Sequence, residues 1–262
     1  MHTGASMTKT RRLVAPIVFY ALIIAAWQFF GMRVSDPASP LLPPSEILAT
    51  MWERRVPLMI NTATTLGETA AGLAFAIVIA LVLALIVDRF RLAGEGVYRL
   101  ALIIYSVPLI ALAPALVAAL GLGVWSKITI AMLGAYFPIL VNVTSALRTQ
   151  DARVLELGRV LNLSYVSAFM KLRAPAAVPD FLASLKIAAP AAFIAAIIAE
   201  WIGAESGLGL AMMHAMFGYK MADLWAILVL ATAINGLLMV AFGLIARYAT
   251  PWHESSQRRA EV

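Results

Sequence analysis

Residues 155–179 read LELGRVLNLSYVSAFMKLRAPAAVP and separate two strongly apolar stretches of the chain. They carry Glu156, Arg159, Asn162, Lys171 and Arg173 and close on Pro175 and Pro179. Neighbouring helices are usually joined by only about 2–8 residues, so a connection this long and this charged needs a reason. Within 154–163 the apolar Val154, Leu155, Leu157, Val160, Leu161 and Leu163 interleave with Arg153, Glu156 and Arg159. That pattern predicts a short helix with one stripe to bury and one face to keep wet. Arg173-Ala-Pro is expected to end the helical region before the next apolar stretch, because proline disfavours helix in the residue preceding it. The segment is either an interfacial helix lying on lipid or a docking element for a partner.

Composition decides what surrounds it. The chain of 262 residues is 62% hydrophobic and 13% charged, against roughly 45–50% and 25% in ordinary soluble domains. A soluble fold of this size has no interior large enough for that much apolar surface, so the chain reads as an integral membrane protein. A spanning helix needs roughly 20 mostly apolar residues. Six stretches qualify, at 13–31, 66–87, 97–120, 128–147, 181–203 and 224–246. The first follows Lys9, Arg11 and Arg12, but its apolar run is too long for a typical signal peptide and no small-residue cleavage site follows, so a retained anchor is expected. Pro-rich SDPASPLLPPSE (35–46) marks a loop, and a short surface helix is expected after it. The fold class is therefore all-α and polytopic, with a segment at 1–12, a membrane domain at 13–250 containing the charged loop 148–180, and a tail at 251–262.

Basic residues orient the spans. With the N-terminus inside, Lys9, Arg11, Arg12, Arg89, Arg91, Arg99, Arg148, Arg153, Arg159, Lys171, Arg173, Arg247, Arg258 and Arg259 face the cytoplasm. Arg33, Arg54, Arg55, Lys127 and Lys220 then lie outside, and Lys186 within a span. Fourteen against five is a positive-inside bias. The net charge of +6 is accounted for this way, without nucleic acid as a partner.

The charged stretch also carries a spacing. It resembles the EAA loop of binding-protein-dependent ABC-importer permeases, in which Glu-Ala-Ala is followed by three residues, Gly, nine residues, Ile, one residue and Leu-Pro. Glu156 stands at the Glu, Leu172 at the Ile and Pro175 at the Pro, while Leu157, Gly158, Asn162 and Ala174 depart from the pattern. Asn for Gly is a mild departure, since Asn tolerates a left-handed backbone. Four further stretches resemble the nitrate/sulfonate/taurine-type branch of these permeases: LLPPSEIL (41–48), VPLIALAPALVAALGLGVWSKI (107–128), FPILVNVTSALR (137–148) and IIAEWIGAESGLG (197–209). The resemblance covers nearly the whole chain and implies a type I importer permease fold with six transmembrane helices and a cytoplasmic coupling helix.

It further implies a homodimer of permease copies in a bacterial inner membrane, two cytoplasmic ATPase subunits and an external solute-binding protein. The expected cargo is a sulfonate, taurine, nitrate or related small anion, or a pyrimidine-type precursor. ATPase coupling would fall to Arg153, Glu156, Leu157, Gly158, Arg159, Leu161, Asn162, Leu172 and Pro175. No catalytic residue, metal or cofactor is expected. A P-loop needs Gly-Lys before Ser/Thr to cradle phosphates, and no Gly-Lys pair occurs; cysteine is absent and the three histidines are scattered.

Charges and polar groups inside spans bear on the transport path. A charge at mid-bilayer costs roughly 2.5–3.5 kcal/mol on insertion scales, so such residues usually face protein or water. Lys186 and Glu200 are 14 positions apart, which puts them within about 40° of one helix face and some 21 Å apart along the axis. Pro190, Phe193 and Ile197 share that face. Either the two charges snorkel to opposite membrane edges or the face lines the path. Asn142 and Ser145 either bond a neighbouring helix or contact solute. Gly72, Ala76 and Ala80 point to close helix packing. Two other classes fit the composition. An ion-coupled secondary transporter would use Glu68 and Glu200, but would show related halves. A membrane scaffold would not require the ordered motifs.

Overall fold

The computed structural model of the chain describes residues 4–33, 41–150, 156–158 and 160–251, with side chains described from residue 18 and omitted at 91–93. Helices dominate and no strand occurs among the described residues. In chain order they are α1 (Gly4–Met32), α2 (Pro44–Glu53), α3 (Arg55–Arg89), α4 (Arg91–Ser106), α5 (Leu109–Leu120) and α6 (Val124–Arg148). Then come α7 (Tyr165–Glu200), α8 (Leu208–Phe217) and α9 (Met221–Ala249).

By length and apolarity, α3, α6, α7 and α9 can each cross a membrane. The stretch 97–120, expected as one span, is a pair: α4 and α5 meet at 97°. The cause is local. Val107 precedes Pro108 and is held extended at φ −72°, ψ 126°, so α4 stops at Ser106, and Pro108 is the N-cap of α5. Counting the pair once gives five spans, and α1 covers the sixth expected stretch. That helix is 29 residues long and spans the whole of 13–31, with side chains described from Val18 onward. Four or, with the bent pair, five of the six expected spans are long and apolar enough to cross a membrane among the described residues. The surface helix expected after the Pro-rich loop is α2, with Pro44 at its first position, where a missing N–H costs nothing.

A second expectation is overturned at Pro175. Helix does not end there: α7 runs unbroken through Pro175, Pro179 and Pro190. Residues Phe169–Arg173 are wound as a π turn, closed by the Ala174 N–H donating to the Phe169 carbonyl five residues back. Proline in a helix collides with the carbonyl four residues earlier. One extra residue in the preceding turn displaces that carbonyl, and the helix continues.

Residues Met1–Met59 with Ala211–Leu230 form one compact unit, and Ile60–Leu210 with Ala231–Val262 a second. In the first, Trp27 meets Trp225 with ring centroids 5.5 Å apart, Gln28 exchanges hydrogen bonds with Ser45, and Arg54 pairs with Asp223 at 3.4 Å. The second is built on α6 against α7, its most extensive helix pairing. Small residues set the distance there: a Cβ added at Gly134 would lie 2.7 Å from the Ala195 Cβ, and one at Gly72 would lie 2.5 Å from the Ala131 Cβ. Ala76, Ala80, Ala188 and Ala192 are fully buried beside Ile139 and Leu140. The small residues of α3 are packing residues, as their spacing indicated. The Tyr136 hydroxyl donates to the Ala101 carbonyl at 2.6 Å and ties α6 to α4.

Candidate functional site

At the end of the second unit that carries Arg89, Arg148 and Arg173, the charged connection is a helical turn that stops and restarts. Glu156, Leu157, Gly158 and Val160 are helical. Asn162 takes φ 48° and the Leu163 N–H reaches back to the Gly158 carbonyl at 3.0 Å. This is the six-to-one bond of a helix closed by a left-handed residue, the conformation that Asn in place of Gly permits. Ser164 then caps α7, its Oγ accepting from the Ser167 N–H. Arg153 and Arg159 lie outside the described residues, as do Val154 and Leu155.

The turn lies close to α7 on one side and is bare on the other. A methyl group added at Gly158 would just reach ordinary contact, 3.5 Å from Leu172 Cδ1 and 3.8 Å from Ala168 Cβ, so about one methyl's space separates the turn from the first part of α7. Glu156 and Asn162 are exposed, and so are the apolar Leu157, Val160 (82%) and Leu161 (56%). Val166 and Met170 extend the bare apolar surface along α7. Apolar patches of this kind, rimmed by charge, are where partners dock.

Behind the turn is a polar junction whose centre the sequence reading missed. The Arg173 guanidinium donates to both carboxylate oxygens of Asp88, at 2.9 and 2.6 Å, to the Leu147 carbonyl at 3.0 Å and to Gln150 Oε1 at 3.1 Å. Gln150 Nε2 returns a bond to the Arg173 carbonyl at 2.8 Å, and the Tyr165 hydroxyl donates to Asp88 at 2.9 Å. The Arg89 guanidinium lies over the Tyr165 ring, 5.0 Å from its centroid. Both partners of the ion pair are largely buried, at 17% and 6% side-chain exposure. Only the acidic residue at the end of α3's apolar run hinted at Asp88; its partner is 85 positions away.

At the opposite end, Glu200 is fully buried at the C-terminus of α7. Its Oε1 accepts from the Thr65 hydroxyl and its Oε2 from the Gly209 N–H, each at 2.6 Å. Thr65 Oγ1 accepts in turn from the Leu208 N–H, and Asn61 Oδ1 from the Gly207 N–H. Glu200 therefore holds the turn 201–209 closed, and Gly207 at φ 126° leaves no space for a side chain beside the carboxylate. Glu68 lies against Glu200 with its Oε2 buried and without a hydrogen-bond partner among the described residues. Lys127, read as an outer-loop charge, is 2% exposed; its ammonium donates to the carbonyls of Leu122, Gly123 and Gly203.

The stripe expected to line a path is turned inward along most of its length. Phe193, Ile197 and Glu200 are buried in the chain's own core, at 1%, 9% and 0% exposure; only Lys186 is exposed and Pro190 partly so. Helical arithmetic groups residues on a face without saying which way the face points. The bare face of α7 carries Ile187 and Ile194, with Ala191 between them and Ile198 one turn beyond partly exposed. Asn142 donates to the Pro138 carbonyl of its own helix at 2.7 Å, and Ser145 is exposed. A crevice of about 290 Å³ beside the polar junction is lined only by apolar side chains, among them Leu81, Leu147, Phe169 and Phe181. It has no polar group to orient a solute. No group of three or more metal-ligating side chains occurs among the described residues.

Comparison with known proteins places this arrangement. The chain is 26% identical over 248 residues to the formylaminopyrimidine transport permease protein ThiX of Halalkalibacterium halodurans, covering 95% of this chain and 99% of that one. It is 25% identical over 237 residues to a Bacillus subtilis permease named SsuC, for aliphatic sulfonates transport, covering 90% and 86%. Its fold is similar to a chain of the MetNI methionine ABC transporter in inward-facing conformations, with a TM-score of 0.67 at 21% identity over 75% of this chain and 97% of that one. Residues 72–258 match the family described as the inner membrane component of binding-protein-dependent transport systems. The chain belongs to that family: it is a permease subunit of an ABC importer, with a transport rather than an enzymatic role.

Proposed function

We propose that two copies of this chain enclose the translocation path of an importer for a small solute, a sulfonate, taurine, nitrate or related anion or a pyrimidine-type precursor. Two ATPase subunits on separate chains supply the energy, and an external solute-binding protein delivers the cargo and does most of the selecting. Membrane lipid surrounds the dimer. The end carrying Arg89, Arg148 and Arg173 faces the cytoplasm with both termini, and the turn 201–209 faces outward.

The observation that carries this reading is the turn at 156–163. It is short and sharply closed at Asn162, passes within a methyl's width of Leu172 at Gly158, and leaves Leu157, Val160 and Leu161 uncovered beside Glu156. Apolar anchors with a flanking charge suit insertion into a groove on a protein, the charge fixing register. ATP binding moves the permease only if the two states of the ATPase bind this turn with different free energies. An ion-coupled carrier has no use for such an element.

The test is Glu156→Lys in vesicles containing the assembled complex. Membrane insertion and copy number should stay at wild-type levels, while stimulation of ATP hydrolysis by the loaded binding protein should fall at least tenfold, about 1.4 kcal/mol of lost coupling. Wild-type stimulation in that variant would rule the reading out. The binding protein's own ligand, measured separately, identifies the solute.

A further inference from the structure

We propose that the Asp88–Arg173 ion pair is the joint that carries a displacement of residues 156–163 into α3, which makes both residues positioning residues for ATP-driven transport. The inference rests on the reading of 156–163 as the ATPase-coupling turn.

Arg173 is where three helices are tied. Its fork engages both oxygens of Asp88 at the end of α3, its Nη2 also reaches the Leu147 carbonyl near the end of α6, and Gln150 brackets it through side chain and backbone. A bidentate guanidinium–carboxylate contact fixes angle as well as distance, so rotation of the start of α7 cannot proceed without turning the end of α3. The contact is largely buried, where water is poorly placed to replace a broken bond.

A second strut reaches the same carboxylate. The Tyr165 hydroxyl donates to Asp88 from the first residue of α7, and Arg173 is the last residue of the π turn. The two bonds bracket Phe169–Arg173, so the π turn cannot absorb a push by rewinding without losing one of them. π turns are often found where helices serve function. Here the turn places Arg173 rather than acting as a loose hinge.

Two other kinds of contact join α3 to the start of α7: the Arg89 guanidinium over the Tyr165 ring, 5.0 Å from its centroid, and apolar side chains bordering the crevice lined by Leu81, Leu85, Phe169 and Phe181. The first fixes no angle as a bidentate fork does, and side chains facing a void lose part of their contact and give way before they push. A load on the coupling turn enters α7 through the backbone at its cap, Ser164, runs along the helix to Arg173, and passes from there to Asp88.

Hydrogen exchange on the full complex of permease and ATPase subunits in lipid nanodiscs, with and without ATP plus vanadate, tests this. In the wild type the nucleotide should change exchange both at 156–163 and at 80–89. Asp88→Asn should keep the change at 156–163 and lose the one at 80–89, and Asp88→Glu should restore it. Arg173→Lys, which keeps the charge and loses the fork, should behave as Asp88→Asn and serves if that variant does not assemble. Stability alone would not separate the two segments in this way. An undiminished nucleotide response at 80–89 in Asp88→Asn or Arg173→Lys overturns the joint. Absence of any response at 156–163 in the wild type overturns the coupling reading itself, and the joint with it.

Discussion

Glu200 shows how much one carboxylate can organise when it is withdrawn from water. Each oxygen has a donor at 2.6 Å, Thr65 on one side and the Gly209 N–H on the other. Leucine has nearly the same length but offers no acceptor, so Glu200→Leu leaves the Gly209 N–H without its partner, while the Thr65 hydroxyl keeps the Asn61 carbonyl as an acceptor at 3.1 Å. One buried group is left unsatisfied, at a cost of about 1–3 kcal/mol. The expected outcome is a lower thermal midpoint in detergent and faster proteolysis within 201–209, with the coupling turn at 156–163 unaffected. Thr65→Val should lower the midpoint as well, because it leaves the Leu208 N–H without its acceptor. An unchanged midpoint in both variants would show that the turn is held by packing alone.

Among the elements, α7 combines two functions that its prolines would normally set against each other. On the proposed coupling reading it must be continuous to transmit force, and it contains Pro175, Pro179 and Pro190. The π turn Phe169–Arg173 resolves the conflict at Pro175, and its register decides where the coupling turn points. Inserting one alanine after the exposed Met170 would add a residue beyond the one that the π turn already absorbs. Everything before it would then rotate by about 100° and shift by about 1.5 Å relative to the rest of α7. Tyr165 would leave Asp88. The expected result is normal insertion with loss of ATPase stimulation by the binding protein, measured in vesicles as for Glu156→Lys. Retained stimulation would mean that the coupling turn finds its place independently of α7.

Two labelling experiments address the whole molecule, and the cysteine-free sequence makes both clean. For sidedness, Val160→Cys and Glu205→Cys place thiols at exposed positions at the two ends. An impermeant reagent on intact cells should label only the second; the reverse would invert the orientation read from the basic residues. For the path, the bare face of α7 replaces the buried stripe. Ile187→Cys and Ile194→Cys should react with a small water-soluble thiol reagent, at rates that change with nucleotide. Phe193→Cys and Ile197→Cys should stay protected in the core. If none of the four reacts, α7 turns its bare face to lipid or to the second copy, and the path is bounded by other helices.

The sequence by itself determined the features that arise from short-range physics. Backbone groups in hydrocarbon must bond within their own helix, so the apolar lengths of α3, α6, α7 and α9 could be read directly, as could the small residues that let α3 approach α6. That Asn162 can take a left-handed backbone was legible because this is a property of single residues, and the interval from Glu156 to Pro175, together with four further stretches in the right order, carried the resemblance to the family before any coordinate did. The bend at Pro108 was written in Val107-Pro108 but lost in a hydropathy run that does not weigh one dihedral angle. Other features needed the tertiary structure. Which side of α7 faces the core depends on what packs against it, so Phe193, Ile197 and Glu200 moved from an expected path to the interior. Lys127 looked like a loop charge because the carbonyl of Gly203 that receives it is 76 positions away. Asp88 and Arg173 meet across 85 positions, and Pro175 is accommodated by a winding that local propensity does not favour. Burial, direction and pairing belong to contacts between distant parts of the chain, and those are fixed only when the helices pack.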